Sequence, residues 1–369
     1  MSEAICGWCG ECHLGILRDF GEEVERNNCE CMMKETANQR NPWIDILKAF
    51  AIYLVIVGHT LSNCIQNGGA NKINSIIYFV HIPLFLVISG GLVKDKPMCK
   101  RFWLGIVKRF VIPYTVWTII LTTFYLGFEH LLHDGIEANV YVYLNNWCHS
   151  FLWFIKAYLV TYILWQILQY IKHPCCRLLV GSIILVLINL IAQGNKPLAE
   201  IASLSLYSYT LFGAGTWVKK YINKINIYII VMLLICFLLC LPFATSQNNY
   251  FECSFSHMLQ YGDWHIFIIR LVAGICISIA LIWVGHNRQF GRSFYSHIIQ
   301  GIGKRTLQIY MLQSLLVEAA LNRVIRLNND LMGNATSFAV AIVMTLLCYI
   351  IIEITMKNNL CRTLLWGAK

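Results

Sequence analysis

Residues 43–65 read WIDILKAFAIYLVIVGHTLSNCI, an apolar run that carries two charged residues and a histidine. A helix needs about 20 predominantly apolar residues to cross the hydrocarbon core of a bilayer. Similar stretches follow one another as far as Met356, and 57% of the chain is hydrophobic whereas only 13% is charged. These features exclude an ordinary soluble domain and predict an all-α, polytopic membrane helix bundle of about ten transmembrane helices. The predicted spans are 43–65, 74–93, 104–127, 151–171, 178–193, 198–217, 226–242, 264–285, 305–322 and 335–356.

The distribution of lysine and arginine predicts the orientation of these helices, because cytoplasmic loops retain basic residues. Most of the 29 basic residues fall on one side of the predicted bundle, whereas the other side holds only Lys72, Lys196, Arg323 and Arg326. Both termini are therefore expected in the cytoplasm, in a multi-pass protein of the cytoplasmic (inner) cell membrane. The net charge of +10 is explained by this topology and by contact with anionic membrane lipid, and no nucleic-acid partner is expected.

The chain divides into a Cys- and Glu-rich N-terminal segment (1–42), a transmembrane domain (43–356) and a cytoplasmic tail (357–369). Two interpretations of the first segment remain open. Thiolates at turn spacing can hold zinc or an iron–sulfur cluster, but this spacing fits no standard zinc finger. A reduced, disordered segment is the simpler explanation, and no metal is expected in the transmembrane domain. The cysteines concerned are Cys6, Cys9, Cys12, Cys29 and Cys31.

The first predicted helix has one polar face. Asp45, Lys48, His59 and Asn63 fall within an arc of about 60° if each residue turns about 100°. At about 1.5 Å per residue, His59 lies roughly 21 Å beyond Asp45 and in the outer half of the membrane. A lone histidine is often only bonded to a neighbouring helix, but an acid, a base and an imidazole on one face favour a functional site.

Other ionisable residues are predicted at the depth of His59. The helix directions place them roughly 6 to 14 Å below the outer surface. Exposure of so many charges to lipid is costly, so they are expected to converge on a shared wet cavity. For Lys156 and Arg270, a long side chain that reaches interfacial water is the competing explanation. The residues at this depth are His59, His81, Lys156, Arg270, Gln313 and Glu318.

Three motifs resemble those of the acyltransferase 3 family of integral membrane acyltransferases. The run 41–59, NPWIDILKAFAIYLVIVGH, is similar to the family's first helix, with its Asp, its basic residue and, eleven positions later, its histidine. The run 79–90, FVHIPLFLVISG, resembles the second helix, and 108–114, KRFVIPY, the opening of the third. Two positions depart from the family pattern: Lys48 stands where arginine is commoner, and Gln313 stands where members of the family often have histidine.

The resemblance implies an acyl-CoA-dependent O-acyltransferase. Such an enzyme moves an acyl group, usually acetyl, from cytoplasmic acyl-CoA to a hydroxyl of a cell-surface or exported glycan or its lipid-linked precursor. Acyl-CoA is then a co-substrate, and no permanently bound cofactor is expected. The positions that match the family pattern are Asp45, Lys48, His59, His81, Ser89 and Arg109.

The chemistry assigns roles to these residues. Transfer to an alcohol needs a base, and the neutral imidazole of His59 suits that task, whereas Lys48 and Asp45 form the inner end of the polar face. A transient acyl-His59 is the alternative to direct transfer. Coenzyme A is anionic, so the inner basic residues are expected to bind the donor. The predicted donor-binding residues are Lys108, Arg109, Lys100, Arg101 and Ser89, and the predicted acceptor-binding residues are His81, Lys156, Arg270, Glu318 and Trp153.

A different function class also fits a row of buried charges. An ion-coupled transporter or flippase of a small polar or sugar-containing substrate places ionisable residues near mid-membrane. The sequence contains no convincing inverted repeat and no pair of broken helices, which favours the acyltransferase.

Overall fold

The computed structural model describes residues 41–132, 140–149, 152–192, 196–244, 262, 264–288 and 294–368, and this part of the chain is almost entirely helical. Its β-structure is an isolated bridge between Ile65 and Leu327. The first helices are α1 (Pro42–Cys64), α2 (Lys72–Tyr78), α3 (His81–Leu92), α4 (Lys100–Ile106), α5 (Ile112–Leu132), α6 (Val140–His149), α7 (Trp153–Ile167) and α8 (Pro174–Ile191). They are followed by α9 (Lys196–Tyr221), α10 (Ile227–Cys240), α11 (Trp264–Arg288), α12 (Phe294–Lys304), α13 (Thr306–Gln313), α14 (Asn322–Val324), α15 (Leu331–Thr355) and α16 (Asn359–Leu364).

All ten predicted spans coincide with helices, but fewer meet the requirements of a membrane span. Among the described residues, six helices are long and apolar enough to cross a membrane. A seventh span results if Val140–Cys148 and Trp153–Tyr170, which are bent by 57°, count as one. Two further apolar helices, Ile227–Phe243 and Thr306–Leu321, are shorter, and serine, threonine and tyrosine dilute the apolar residues of α9. Ten spans and cytoplasmic termini therefore remain predictions. The six are Pro42–Cys64, Lys72–Leu92, Lys100–Gly127, Pro174–Ile191, His265–Arg288 and Leu331–Thr355.

Helix α1 lies at the centre of the bundle. It begins with Pro42, whose fixed φ and missing N–H suit a first helical position. It contacts α2, α3, α11, α12, α13 and α15, and it is the most buried of the six candidate spans found in the described chain. Helix α12 packs closely against α1 at Gly303, where an added Cβ would collide with the backbone carbonyl of Asp45. Small residues permit such close helix packing in membranes.

The second predicted span is two helices with a break between them. Helix α2 ends at Tyr78, and α3 starts at His81 after a turn at Phe79 and Val80. Pro83 explains the break, since its ring clashes with the carbonyl four residues earlier in a continuous helix. The break puts His81 in the first turn of α3, where its Nδ1 lies 2.7 Å from the carbonyl oxygen of Ile77.

Two segments are π-helical, with wider turns than an α-helix. One, Val107–Val111, joins α4 to α5, and the other, Ser314–Leu321, follows α13. Single π-turns inside α-helices occur frequently at functional sites. The first segment contains Lys108 and Arg109 and the second contains Glu318, so both carry residues that the sequence singled out.

Candidate active site

His59 lies beside Glu318 near the end of α1. The Nε2 atom of His59 is 3.5 Å from Oε1 of Glu318, and the two side chains are 22% and 14% exposed. A carboxylate at this position favours the tautomer with hydrogen on Nε2 and stabilises the imidazolium after protonation. Nδ1 is then the nitrogen that can accept a proton.

The π-helical turn explains the position of Glu318. In a regular α-helix, residues five apart point about 140° from each other, whereas the wider π-turn brings them to the same side. Gln313 donates from Nε2 to Oε1 of Glu318 over 2.8 Å, and Ser314 donates from Oγ to the same oxygen over 3.1 Å. Gln313 is fully buried. Glu318 is therefore held as an acceptor next to His59.

A ring of buried side chains surrounds this pair. Tyr78 interacts electrostatically with Glu318 and hydrogen-bonds to Ser62. The guanidinium of Arg270, which is 0% exposed, lies 5.7 Å from the centre of the Tyr78 ring. His81 is close enough to interact with both His59 and Arg270. Three of the predicted residues thus meet His59 at one end of the bundle.

Two cavities open from the other end, which we call the basic end. The outer cavity has a volume of about 560 Å³, and the inner cavity has about 140 Å³. They share part of their lining and therefore adjoin. The shared residues are Lys48, Ser89, Arg109, Phe110 and Tyr158. The outer cavity is also lined by Lys94, Lys96 and Arg101.

The inner cavity follows α1 toward His59. Lys48, Ile52 and Val55 line it, and His59 continues this face at helical spacing. His59 is four residues beyond Val55, or about 6 Å along the axis. Neither described cavity is lined by His59 itself. Tyr310 lines the inner cavity and interacts electrostatically with Glu318, so one lining residue of the cavity also lies near the imidazole–carboxylate pair.

The loop at the mouth of the outer cavity, residues 93–99, is fixed by buried polar groups. Gln166, which is 0% exposed, donates to the Lys94 carbonyl over 2.9 Å and accepts from the Lys96 N–H over 3.0 Å. Arg177 donates to Asp95 over 3.0 Å. Desolvation at the mouth, followed by the charge of nearby Arg109, lowers the pKa of the Lys96 amino group. Five cations and one carboxylate line the outer cavity, which favours an anionic ligand.

The predicted donor-binding residues divide into two groups. Arg101, Arg109 and Ser89 line the outer cavity. Lys100 and Lys108 are exposed and line neither described cavity. Because side chains on a helix point in different directions, only some members of a basic run face a cavity.

Asp45 is 2% exposed and lines neither described cavity. Lys156 donates to the carbonyl of Cys148 and interacts with Glu200. Trp153 packs edge-to-face against Phe154, with ring centres 6.1 Å apart. None of these contacts involves His59 or Glu318. Of the residues expected at the depth of His59, the structure brings His81, Arg270, Gln313 and Glu318 close to it, whereas the contacts of Lys156 are elsewhere.

Several residues of the site were absent from the sequence predictions. Tyr310, Gln166 and Arg177 are an aromatic and two polar residues whose contacts depend on the packing of distant helices. Gln166 and Arg177 stand near a predicted membrane boundary, where polar residues are ordinary. A weak signal existed for Tyr310, because it precedes Gln313 and Ser314 in a helix that already carried polar residues.

The N-terminal cysteines at 6, 9, 12, 29 and 31 lie outside the described residues. Within the described chain, no group of three or more His, Cys, Asp or Glu side chains could hold a metal ion.

The model of a family described as the acyltransferase domain matches residues 41–353. The chain belongs to the acyltransferase 3 family. The match includes α1 with Lys48 and His59, the π-turn with Glu318 and the residues that line both cavities. Membership confirms the resemblance seen in the motifs and, with the apolar helices, supports a multi-pass membrane acyltransferase.

Two curated relatives carry the name nodulation protein NolL. The protein of Sinorhizobium fredii is 28% identical over 200 residues, which cover 52% of this chain and 51% of the relative. The protein of Mesorhizobium japonicum is 26% identical over 185 residues, with 48% of each chain covered. The chain thus spans about half the length of the curated relatives it matches. No solved structure is significantly similar to the chain.

Proposed function

We propose that this protein is an acyl-CoA-dependent O-acyltransferase of the cell membrane that transfers an acyl group to a hydroxyl of an exported or cell-surface glycan, or of its lipid-linked precursor. One observation carries the proposal. A basic cavity adjoins a narrower channel that runs along α1 toward an imidazole–carboxylate pair. Family membership supports the reaction class.

The outer cavity suits the nucleotide end of acyl-CoA. The cations that line it outnumber the carboxylates, and the lining acid, Asp95, is paired with Arg177. Phosphate groups form strong charge-assisted hydrogen bonds with arginine and lysine. The inner cavity has about a quarter of the outer volume and is lined mainly by apolar and aromatic side chains, which suits the uncharged arm of the donor and a short acyl group such as acetyl.

His59 acts as the general base. Its Nδ1 removes the proton of the acceptor hydroxyl while the hydroxyl oxygen attacks the thioester carbonyl carbon. The tetrahedral intermediate collapses as the carbon–sulfur bond breaks. The imidazolium then returns the proton to the departing thiolate, which leaves as free coenzyme A. Glu318 stabilises the imidazolium through both steps, and the buried charge of Arg270 favours negative charge in the same region.

The reaction requires the inner cavity to open toward His59, which lines neither described cavity. Tyr310 packs edge-to-face on Phe154 with ring centres 5.5 Å apart. A movement of the Tyr310 ring is the proposed route of opening, because this ring lines the cavity and also interacts with Glu318.

The test uses purified protein in lipid vesicles with radiolabelled acetyl-CoA. Labelled product and free thiol should form when a glycan acceptor is present, and His59→Ala should slow the formation of both by about 10² to 10⁴ while remaining folded. Substrate flux without release of the thiol would contradict the proposal and favour an ion-coupled transporter or flippase. Retained transfer in His59→Ala would remove the proposed base.

A further inference from the structure

The segment after α15 folds back against the π-helical turn that carries Arg109. The match to the acyltransferase domain ends at residue 353, so this segment lies beyond it. A Cβ placed on Gly367 would lie 2.7 Å from the carbonyl oxygens of both Lys108 and Arg109. The backbone of Gly367 is thus packed directly on the turn. Its φ of +58° also favours glycine.

The neighbouring residues attach this segment to α5. The carbonyl of Leu365 accepts a hydrogen bond from Nε1 of Trp117 over 2.9 Å. The ring of Trp366 is 2% exposed and lies 5.4 Å, centre to centre, from the ring of Trp117. Nε1 of Trp366 donates to Oγ1 of Thr355 over 3.0 Å. Two indole rings in contact and two hydrogen bonds to neighbouring helices therefore hold the Leu365–Gly367 peptide in place.

The 107–111 π-turn lies between two α-helices, and because π-turns are rare bulges in such helices, an α-helical register competes with it. A shift to that register would rotate the side chains of the turn around the helix axis by a large angle. Arg109 now lines both cavities, whereas Lys108 lines neither in the described structure. The register of this turn therefore decides which cation faces the donor cavity.

We infer that residues Leu365–Gly367 are positioning residues that hold the 107–111 turn in the register in which Arg109 faces the acyl-CoA phosphates. The inference rests on the proposed acyl-CoA donor. Leu365–Gly367 would then affect the affinity for acyl-CoA, although none of these three residues lines a described cavity.

The test compares Gly367→Ala with the wild-type chain in acetyl-CoA turnover. The added methyl group should displace the turn and raise the KM for acetyl-CoA by about fivefold, because part of a charge-assisted hydrogen bond is lost. The kcat should change little. Gly127→Ala is the matched control, since Gly127 lies on α5, the helix that follows the 107–111 turn, and a Cβ there meets nothing within 4 Å.

A double-mutant cycle with Arg109→Gln separates positioning from a general loss of stability. If Gly367 acts through Arg109, Gly367→Ala should raise the KM no further in the Arg109→Gln background. Additive effects, or a lower melting temperature with an unchanged KM, would overturn the inference. If Gly367→Ala does not fold, Trp366→Phe is the second variant: it keeps an aromatic ring against Trp117 but loses the bond to Thr355, and it should also raise the KM for acetyl-CoA.

Amide hydrogen exchange of residues 107–111 provides a readout that needs no substrate. Exchange there should be faster in Gly367→Ala than in the wild type and unchanged in Gly127→Ala. Unaltered exchange in Gly367→Ala would contradict the inference. A wild-type protein that never turns over acetyl-CoA would instead contradict the proposed function, so the two failures are distinguishable.

Discussion

The two ends of the α1 face that carries Lys48 and His59 are built in different ways. Around Lys48, the side chains line a wide cavity, and most of the cations there are exposed on a loop and a π-turn. Around the partly exposed His59–Glu318 pair, the polar side chains of His81, Arg270 and Gln313 are buried, and Gln313 donates a hydrogen bond to Glu318. Charge in an open cavity binds an anion without strict geometry, whereas proton transfer needs groups fixed within hydrogen-bonding reach. Substitutions at the two ends should therefore change different kinetic constants.

The largest effect is expected at His59. His59→Ala should lower kcat by about 10² to 10⁴, the usual contribution of a general base, while the KM for acetyl-CoA changes little. Steady-state kinetics of purified protein measure both constants. His286→Ala is a matched control, because His286 bonds Asn223 on the basic end and contacts neither cavity nor Glu318 in the described structure. A large KM increase in His59→Ala would break the division between the two ends.

Glu318→Gln tests the imidazole–carboxylate pair. The amide keeps an oxygen for Gln313 and Ser314 but cannot stabilise an imidazolium by charge. Hydrogen bonds to charged groups contribute about 1.5–3 kcal/mol, so kcat should fall about 10- to 150-fold and the KM for acetyl-CoA should stay constant. If the acceptor KM rises instead while kcat is unchanged, Glu318 binds the acceptor, as the sequence predicted.

At the basic end, Arg109 and Lys108 are adjacent residues with different surroundings. Arg109→Gln should raise the KM for acetyl-CoA about tenfold through loss of a charge-assisted contact with phosphate, and kcat should be unaffected. Lys108→Gln should leave the KM within about twofold, the scale of a surface charge. Equal effects of the two substitutions would mean that only net charge matters at this end.

The sequence predicted where the helices lie, but it did not predict the side-chain directions within the two π-turns. Apolar length located the helices, and equal depth correctly brought Glu318 to the level of His59. The contact between Glu318 and Gln313 was not predictable, because an ordinary α-helix directs residues five apart to different sides. The same limit applies to Arg109 and Lys108, which lie in the other π-turn. Depth alone also failed for Lys156, since its helix is apolar on most faces and the sequence does not fix which face turns inward.

The smallest effect is expected from the support of the cavity loop. Gln166→Leu removes both hydrogen bonds to the backbone of residues 94 and 96, and loss of a partner for a buried polar group costs about 1–3 kcal/mol. Part of that cost should appear as a lower melting temperature. The loop also becomes less ordered before the donor binds, so the KM for acetyl-CoA should rise about two- to threefold with kcat unchanged. Gln166→Glu is the informative comparison, because its carboxylate can still accept from the Lys96 N–H but cannot donate to the Lys94 carbonyl. A KM at the wild-type value in both variants would show that the basic end binds its ligand without a preformed loop, and the contrast with the His59 end would then be sharper still.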